Sequence, residues 1–168
     1  TQINPIETKP IPHQNGWFWI AKNKDWIISR TDIVRVSGEL GFCLYQGALC
    51  RTVGIFIEEV TQRFYQDALL NYIEQTDEFK RSDVANALES FMQKSCIYTI
   101  TRLPIIERSQ ILNDDENNCF KFFKNCFIHI TKDETSQHSY DQIPKDKYVQ
   151  LSKVRQRDFK PQQTGLYL

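Results

Sequence analysis

This chain lacks the glycine arrangements on which nucleotide-binding loops are built. None of its six glycines stands in a G-x-x-x-x-G-K-[ST] loop or a G-x-G-x-x-G turn, so nucleotide binding through a P-loop is excluded. A charge imbalance is missing too. With 21 Lys and Arg against 21 Asp and Glu, no global field draws the protein to nucleic acid or an anionic membrane, and any polyanion contact has to be local. No apolar run approaches the roughly 20 residues a membrane-spanning helix needs, and Thr1 to Asn15 has no hydrophobic signal region. The expectation is a soluble, cytoplasmic chain with no membrane partner.

Closely spaced cysteine pairs are also absent. Cys43 and Cys50 repeat the gap between Cys119 and Cys126, with His129 nearby, but structural zinc sites are usually built on C-x₂₋₄-C pairs. Five cysteines, an odd number without a secretory signal, point to a reducing compartment with all thiols free. Centring a hairpin turn on Lys124-Asn125 or Asn125-Cys126 leaves Cys119 unopposed to Cys126, which argues against a disulfide there. His13, His129 and His138 carry no signature of a base beside a nucleophile, so hydrolase chemistry is unsupported. Asp114-Asp115-Glu116 could ligate magnesium, but consecutive acids in a polar loop diverge, and the simpler reading is a solvated turn. No catalytic residue, metal site or cofactor is expected.

What the chain does have is a set of short apolar segments of two periods. Its 168 residues can bury one sizeable core or two small ones. In residues 118 to 133, NCFKFFKNCFIHITKD, two apolar strands flank a Lys-Asn break, predicting a hairpin over 119–124 and 126–131. Trp17 to Ile20 and Trp26 to Ile28 read as an opening hairpin around a polar Lys22 to Asp25 turn. Thr31 or Asp32 caps a short helix with Ile33, Val36 and Leu40 on one face, weakened by Gly38 and stopped near Gly41. Strands follow at Phe42 to Tyr45 and Leu49 to Thr52 around Gln46-Gly47, and at Ile55 to Val60.

Helical spacing then takes over. Thr61 caps a helix carrying Phe64, Tyr65, Ala68, Leu69, Tyr72 and Ile73, and Ser82 starts another with Val84, Ala87, Leu88, Phe91 and Met92 on one stripe. Glu74, Asp77, Glu78, Asp83 and Glu89 form a solvated face. Pro104 suggests irregular structure over Ile97 to Ile106, Asp133 to Asp141 reads as a polar loop, and Tyr148 to Val154 as a strand. The fold class is therefore α+β, antiparallel hairpins packed with two main amphipathic helices near 62–75 and 83–94. The expected organisation is a flexible segment over 1–15, an α+β domain over 16–159 that can divide into 16–96 and 97–159, and a tail or linker over 160–168. A start without Met and a poorly anchored tail suggest a piece of something longer.

Local charge supplies the candidate site. Lys121 and Lys124 lie among the phenylalanines, and Lys153, Arg155 and Arg157 cluster in a stretch with few acids. Aromatics that stack on bases beside cations that neutralise phosphates are how single-strand binding surfaces work, although aromatics on strands more often fill a core.

WFWIAKNKDWIISRTDIVRVSGELGF, IFIEEVTQRFYQDALLNYI, FKFFKNCFIHITKD and the terminal VRQRDF together resemble, in order and over most of the chain, a region N-terminal to the motor in primase-helicases of phages, prophages and other mobile elements. The likeness implies a non-catalytic accessory domain ahead of a poxvirus-type, superfamily-three-like helicase. Such a domain would handle DNA, single-stranded in the first instance, or assemble the motor. ATP-dependent catalysis would belong to a C-terminal part absent here. The residues that local charge offers for DNA contact are Lys121, Lys124, Lys153, Arg155 and Arg157, and the partners the likeness implies are DNA, the helicase motor and further copies of the chain. The other class of function is a protein-interaction or oligomerisation module that touches no nucleic acid. One position departs from the family pattern: Cys126 stands where Gly would follow Lys124-Asn125. Cys resists the positive φ of a type I′ turn, so the turn is longer than two residues or its register differs.

Overall fold

The computed structural model describes residues 19–22, 25–75 and 81–161. The N-terminal segment up to Phe18, residues 23 and 24 of the expected turn, Asp77, Glu78 and the tail from 162 lie outside the described residues. The fold is α+β. The chain divides into two compact units, the first drawn from residues up to Arg51 and from Glu59–Ile106, the second from Thr52–Glu58 and from Glu107 onward.

In the first unit, β1 (Trp19–Lys22) and β2 (Asp25–Ile28) pair antiparallel, with Trp19 opposite Ile28. Helix α1 (Arg30–Glu39) follows at once. Its N-cap is Ser29 rather than Thr31 or Asp32. The Ser29 Oγ accepts the Asp32 N–H at 3.4 Å and donates to the Asp32 carboxylate at 2.6 Å, so the hydroxyl nearest the end of β2 takes the orphan donor. Gly38, a helix-weakening residue, has a packing reason. A Cβ there would stand 3.2 Å from Pro104 Cγ.

Strands β3 (Phe42–Tyr45) and β4 (Ala48–Val53) close around Gln46 (φ 51) and Gly47 (φ 81). Two successive left-handed residues make the two-residue hairpin turn whose twist matches antiparallel strands. Helix α2 (Gln62–Gln75) is capped by Thr61, whose Oγ1 accepts the Phe64 N–H at 3.1 Å.

Helix α3 runs from Arg81 to Ile100, correcting the irregular structure expected from Ile97. Pro104 disfavours helical geometry only at the residue before it, so the helix reaches Ile100 and tightens through Arg102 N–H to Thr99 O and Leu103 N–H to Ile100 O, both 3.1 Å. Ile105 then bridges Leu44. The core gathers Ile33 and Val36 of α1, Phe42 of β3, Tyr65 and Leu69 of α2, and Leu88, Met92 and Cys96 of α3. Phe42 meets Tyr65 edge-to-face at 4.8 Å.

In the second unit, β5 (Phe56–Glu59) pairs in parallel with β6 (Val149–Gln150), Phe56 opposite Val149. The strand expected over Tyr148 to Val154 is thus two residues long, because Leu151–Lys153 turns into a 3₁₀ segment. The hairpin expected between 119 and 131 is present. Strands β7 (Cys119–Phe122) and β8 (Phe127–Ile130) pair antiparallel, Cys119 opposite Ile130 and Phe122 opposite Phe127. Four residues connect them, and Cys126 keeps a negative φ. Phe123 N–H donates to Cys126 O at 2.8 Å, while the Phe123 carbonyl accepts the Tyr140 hydroxyl at 2.5 Å.

A third strand, β9 (Thr135–His138), completes this sheet against β8, Ile130 opposite Thr135. It takes up the middle of the loop expected over Asp133 to Asp141. TSQH has no apolar residue to signal a strand; the open hydrogen-bonding edge of β8 recruits it. Phe122, Phe127, Ile143 and Val149 form one buried cluster, and Phe123, Cys126 and Ile128 another. Most of the hairpin phenylalanines are therefore core.

Candidate nucleic-acid interface

The segment after β6 returns along β7 and builds the site. Arg155 N–H donates to Phe122 O at 3.0 Å and Lys124 N–H to Arg157 O at 3.1 Å, with Phe123 and Arg155 forming a parallel bridge. The Asn125 side chain completes the attachment: its Oδ1 accepts the Phe159 N–H at 2.8 Å and its Nδ2 donates to Phe159 O at 3.3 Å. Residues from two distant parts of the sequence are thereby laid side by side.

Between them opens a cleft of about 240 Å³ lined by Leu112, Asp114, Phe120, Lys121, Phe122, Lys153 and Arg155. Three of the five residues singled out by sequence, Lys121, Lys153 and Arg155, line it. Lys124 and Arg157 do not; they are exposed on the adjoining hairpin loop and the segment bonded to it. The cations are held in different ways. Lys153 Nζ donates to Asn113 Oδ1 at 2.6 Å, which positions the ammonium without neutralising it. The Arg155 guanidinium lies 5.2 Å from the centroid of the Phe123 ring, a contact that restrains the side chain while leaving its N–H groups available.

Among the described residues, Asp114 is the cleft's one carboxylate. Its Oδ1 accepts the Phe120 N–H at 2.7 Å, and the Cys119 thiol lies 3.8 Å from Oδ2. Asp115 works as a turn former: its Oδ1 accepts the N–H groups of Asn117 and Asn118 at 2.8 and 2.9 Å. These bonds hold its carboxyl below the usual range. The two carboxylates thus serve backbone donors separately, and among the described residues no group of three His, Cys, Asp or Glu converges as a metal site.

Phe120 is the half-buried aromatic of the cleft. One face of its ring stacks on His129, 4.7 Å away and 10° from parallel, and His129 Nε2 bonds to Asn118 Oδ1 at 2.7 Å. His129 is therefore packed and hydrogen-bonded.

The thiols are all free, and Cys43, Cys50, Cys96 and Cys126 are buried. Burial pushes the Cys43 thiol up to about 11, far from a reactive thiolate. No described helix is long and apolar enough to cross a membrane. Sequence reasoning missed Asn113 and Asp114 as parts of this site, because nothing local ties them to Lys153 or to Phe120. No protein-family model, curated protein or solved structure matches the chain.

Proposed function

We propose that this chain is a non-catalytic accessory domain of a phage or mobile-element replicative primase-helicase, and that it handles single-stranded DNA through the Lys121–Lys153–Arg155 cleft. The observation that carries the reading is the convergence of these cations, remote in sequence, on one cleft beside a half-buried phenylalanine. An ammonium braced by an amide and a guanidinium restrained on an aromatic ring are ordered before the ligand arrives, so less side-chain entropy is lost on binding. Phosphates would pair with Lys153 and Arg155, and Lys124 and Arg157 would extend the same basic edge. Because one face of Phe120 is already occupied by His129, its contribution is an apolar wall for sugar or base, and most of the affinity is electrostatic. The helicase motor, ATP and magnesium belong to the parent protein in this reading, which acts in the cytoplasm.

The test is fluorescence anisotropy of a labelled oligothymidine across a salt series. Affinity falls with salt by a slope of about −0.7 per phosphate contact on a single strand. Lys153→Gln with Arg155→Gln weakens binding and flattens that slope at unchanged melting temperature. Retention of wild-type affinity and slope by this variant would sink the reading.

A second reading, a protein-interaction or oligomerisation module, draws on Ile97 and Ile105, which are 73% and 65% exposed. Apolar surface of this kind on the first unit fits a protein contact. Sedimentation of the chain alone and with the parent motor separates the two readings: assembly abolished by Ile97→Asp, with no oligothymidine binding at low salt, selects the module.

A further inference from the structure

We infer that the first unit carries a second phosphate-binding site, formed by Arg30, Lys94, Tyr98 and Arg102, which takes the backbone of a single nucleic-acid strand. Arg30 opens α1, Lys94 and Tyr98 lie in α3, and Arg102 follows its last turn. The guanidinium carbons of Arg30 and Arg102 stand 5.2 and 4.1 Å from the centroid of the same Tyr98 ring. Two like charges converge on one aromatic residue, and no carboxylate pairs with either of them among the described residues.

Two clefts adjoin this pair, of about 330 and 270 Å³, and share Arg30 and Tyr98. The first includes Arg102 and Thr31; the second includes Lys94 and Gln62. Among the described residues, neither has an acidic residue in its lining. In a chain of formal net charge +0, a surface whose described residues offer three cations and neutral hydrogen-bonding groups, but no carboxylate, selects an anion by local field. Tyr98 holds each guanidinium through its ring, so their N–H donors stay available for bidentate contact with phosphate oxygens. Two clefts meeting at one arginine suit a ligand with repeated phosphates better than a lone oxyanion. The spacing 94, 98, 102 places the α3-derived members along one side of a helix and its exit.

The site shares its ligand class with the cleft of the second unit but none of its residues, so the two can be tested independently in the full chain. The probe is a fluorescein-labelled oligothymidine 15-mer, followed by anisotropy over a salt series. Arg30→Gln with Arg102→Gln raises Kd by on the order of tenfold and reduces the salt slope by about 1.4, the value for two phosphate contacts to a single strand. Arg30→Lys with Arg102→Lys, which keeps both charges, restores the slope. Wild-type Kd and slope in the glutamine variant overturn the inference, and leave the second unit's cleft standing if Lys153→Gln with Arg155→Gln still weakens binding. The converse result upholds the inference and removes the cleft. A poly-glutamate peptide bound through Arg30 and Arg102, with oligothymidine unaffected by their loss, overturns it in favour of an acidic protein partner. Failure of the wild-type chain to bind the 15-mer at low salt overturns both.

Discussion

The side-chain amide of Asn125 pairs with the backbone of Phe159 as a neighbouring strand would, accepting its N–H at 2.8 Å and donating to its carbonyl at 3.3 Å. A side chain in the hairpin loop thereby fixes the end of the segment that carries Arg155 and Arg157, helped by the tilted contact of Phe159 with Phe123 at 5.1 Å. Asn125→Ala removes both hydrogen bonds, each contributing about 1 kcal/mol. The expected outcome is a loss of roughly 1 to 2 kcal/mol in denaturant unfolding, with faster amide exchange at Phe159. Exchange at Phe159 unchanged from wild type would show that Phe159 is held by packing alone.

In the first unit, buried hydroxyls make a comparable but enclosed arrangement. Ser37 Oγ donates to Ile33 O at 2.6 Å and lies 2.7 Å from the Tyr65 hydroxyl, which donates to it. Both residues are fully buried, and burial raises the Tyr65 hydroxyl well above its ordinary value. Ser37→Ala leaves the tyrosine hydroxyl without its partner and should cost about 1 to 3 kcal/mol. Adding Tyr65→Phe removes the orphaned group, so the double variant is expected to be less destabilised than the sum of the single ones. Simple additivity in urea unfolding would contradict the pairing.

How far these features could be read in advance depended on whether they were local. The alternation around Lys124-Asn125 marked β7 and β8, and the stripes through Tyr65 and Leu88 marked α2 and α3, because each is written within a few turns of chain. Strand β9 was illegible since Thr135 to His138 carries no apolar pattern and exists through pairing with β8. Lys121, Lys153 and Arg155 stood out as local basic residues. Their meeting in one cleft depends on hydrogen bonds between distant segments, Arg155 to Phe122 and Phe159 to Asn125. The Arg30–Tyr98–Arg102 cluster was hidden for the same reason, and also because irregular structure was expected where α3 continues to Ile100.

Asp115 gives a pH-dependent test of the loop before β7. Its carboxylate accepts three different N–H donors from Asn117 and Asn118, and its folded value lies below the ordinary 3.8. A carboxylate depressed on folding contributes stability that is fully present above the unfolded value and is lost as pH falls through the folded one. Asp115→Ala should therefore lower Tm at neutral pH, and the difference from wild type should shrink as pH drops below about 4. A difference in Tm that stays constant down to pH 2 would mean that the charge plays no part.

The thiols differ in access. Cys43 and Cys50 face each other across β3 and β4, buried, and burial raises both above the ordinary thiol value. Cys119 is only partly buried. Alkylation of the native protein at pH 8 should label Cys119 first and leave Cys43 and Cys50 unmodified, while unfolding in denaturant should expose all five thiols. Mass mapping of the labelled peptides checks the order. Early labelling of Cys43 would contradict the buried hairpin, and recovery of fewer than five thiols would reveal a disulfide.

Cys126 tests the hairpin geometry most directly, because a two-residue turn at Lys124-Asn125 would favour Gly at this position and the structure does not. Among described non-glycine residues only Gln46 has a positive φ, so Cys126 needs none of glycine's freedom. Its side chain is 3% exposed and packs with Phe123 and Ile128. Cys126→Gly would remove that burial and add about 0.5 to 1 kcal/mol of backbone entropy cost, measured relative to Ala in a regular element. The lost apolar contact, a small side chain at roughly 25 cal/mol per Å², acts in the same direction. The variant should be less stable than wild type by about 1 to 2 kcal/mol, read from the urea midpoint at unchanged slope. Cys126→Ala, which keeps the β-carbon, should fall between them. A glycine variant more stable than wild type would mean that a tight two-residue turn, rather than the four-residue connection held by Tyr140, is the conformation this hairpin adopts.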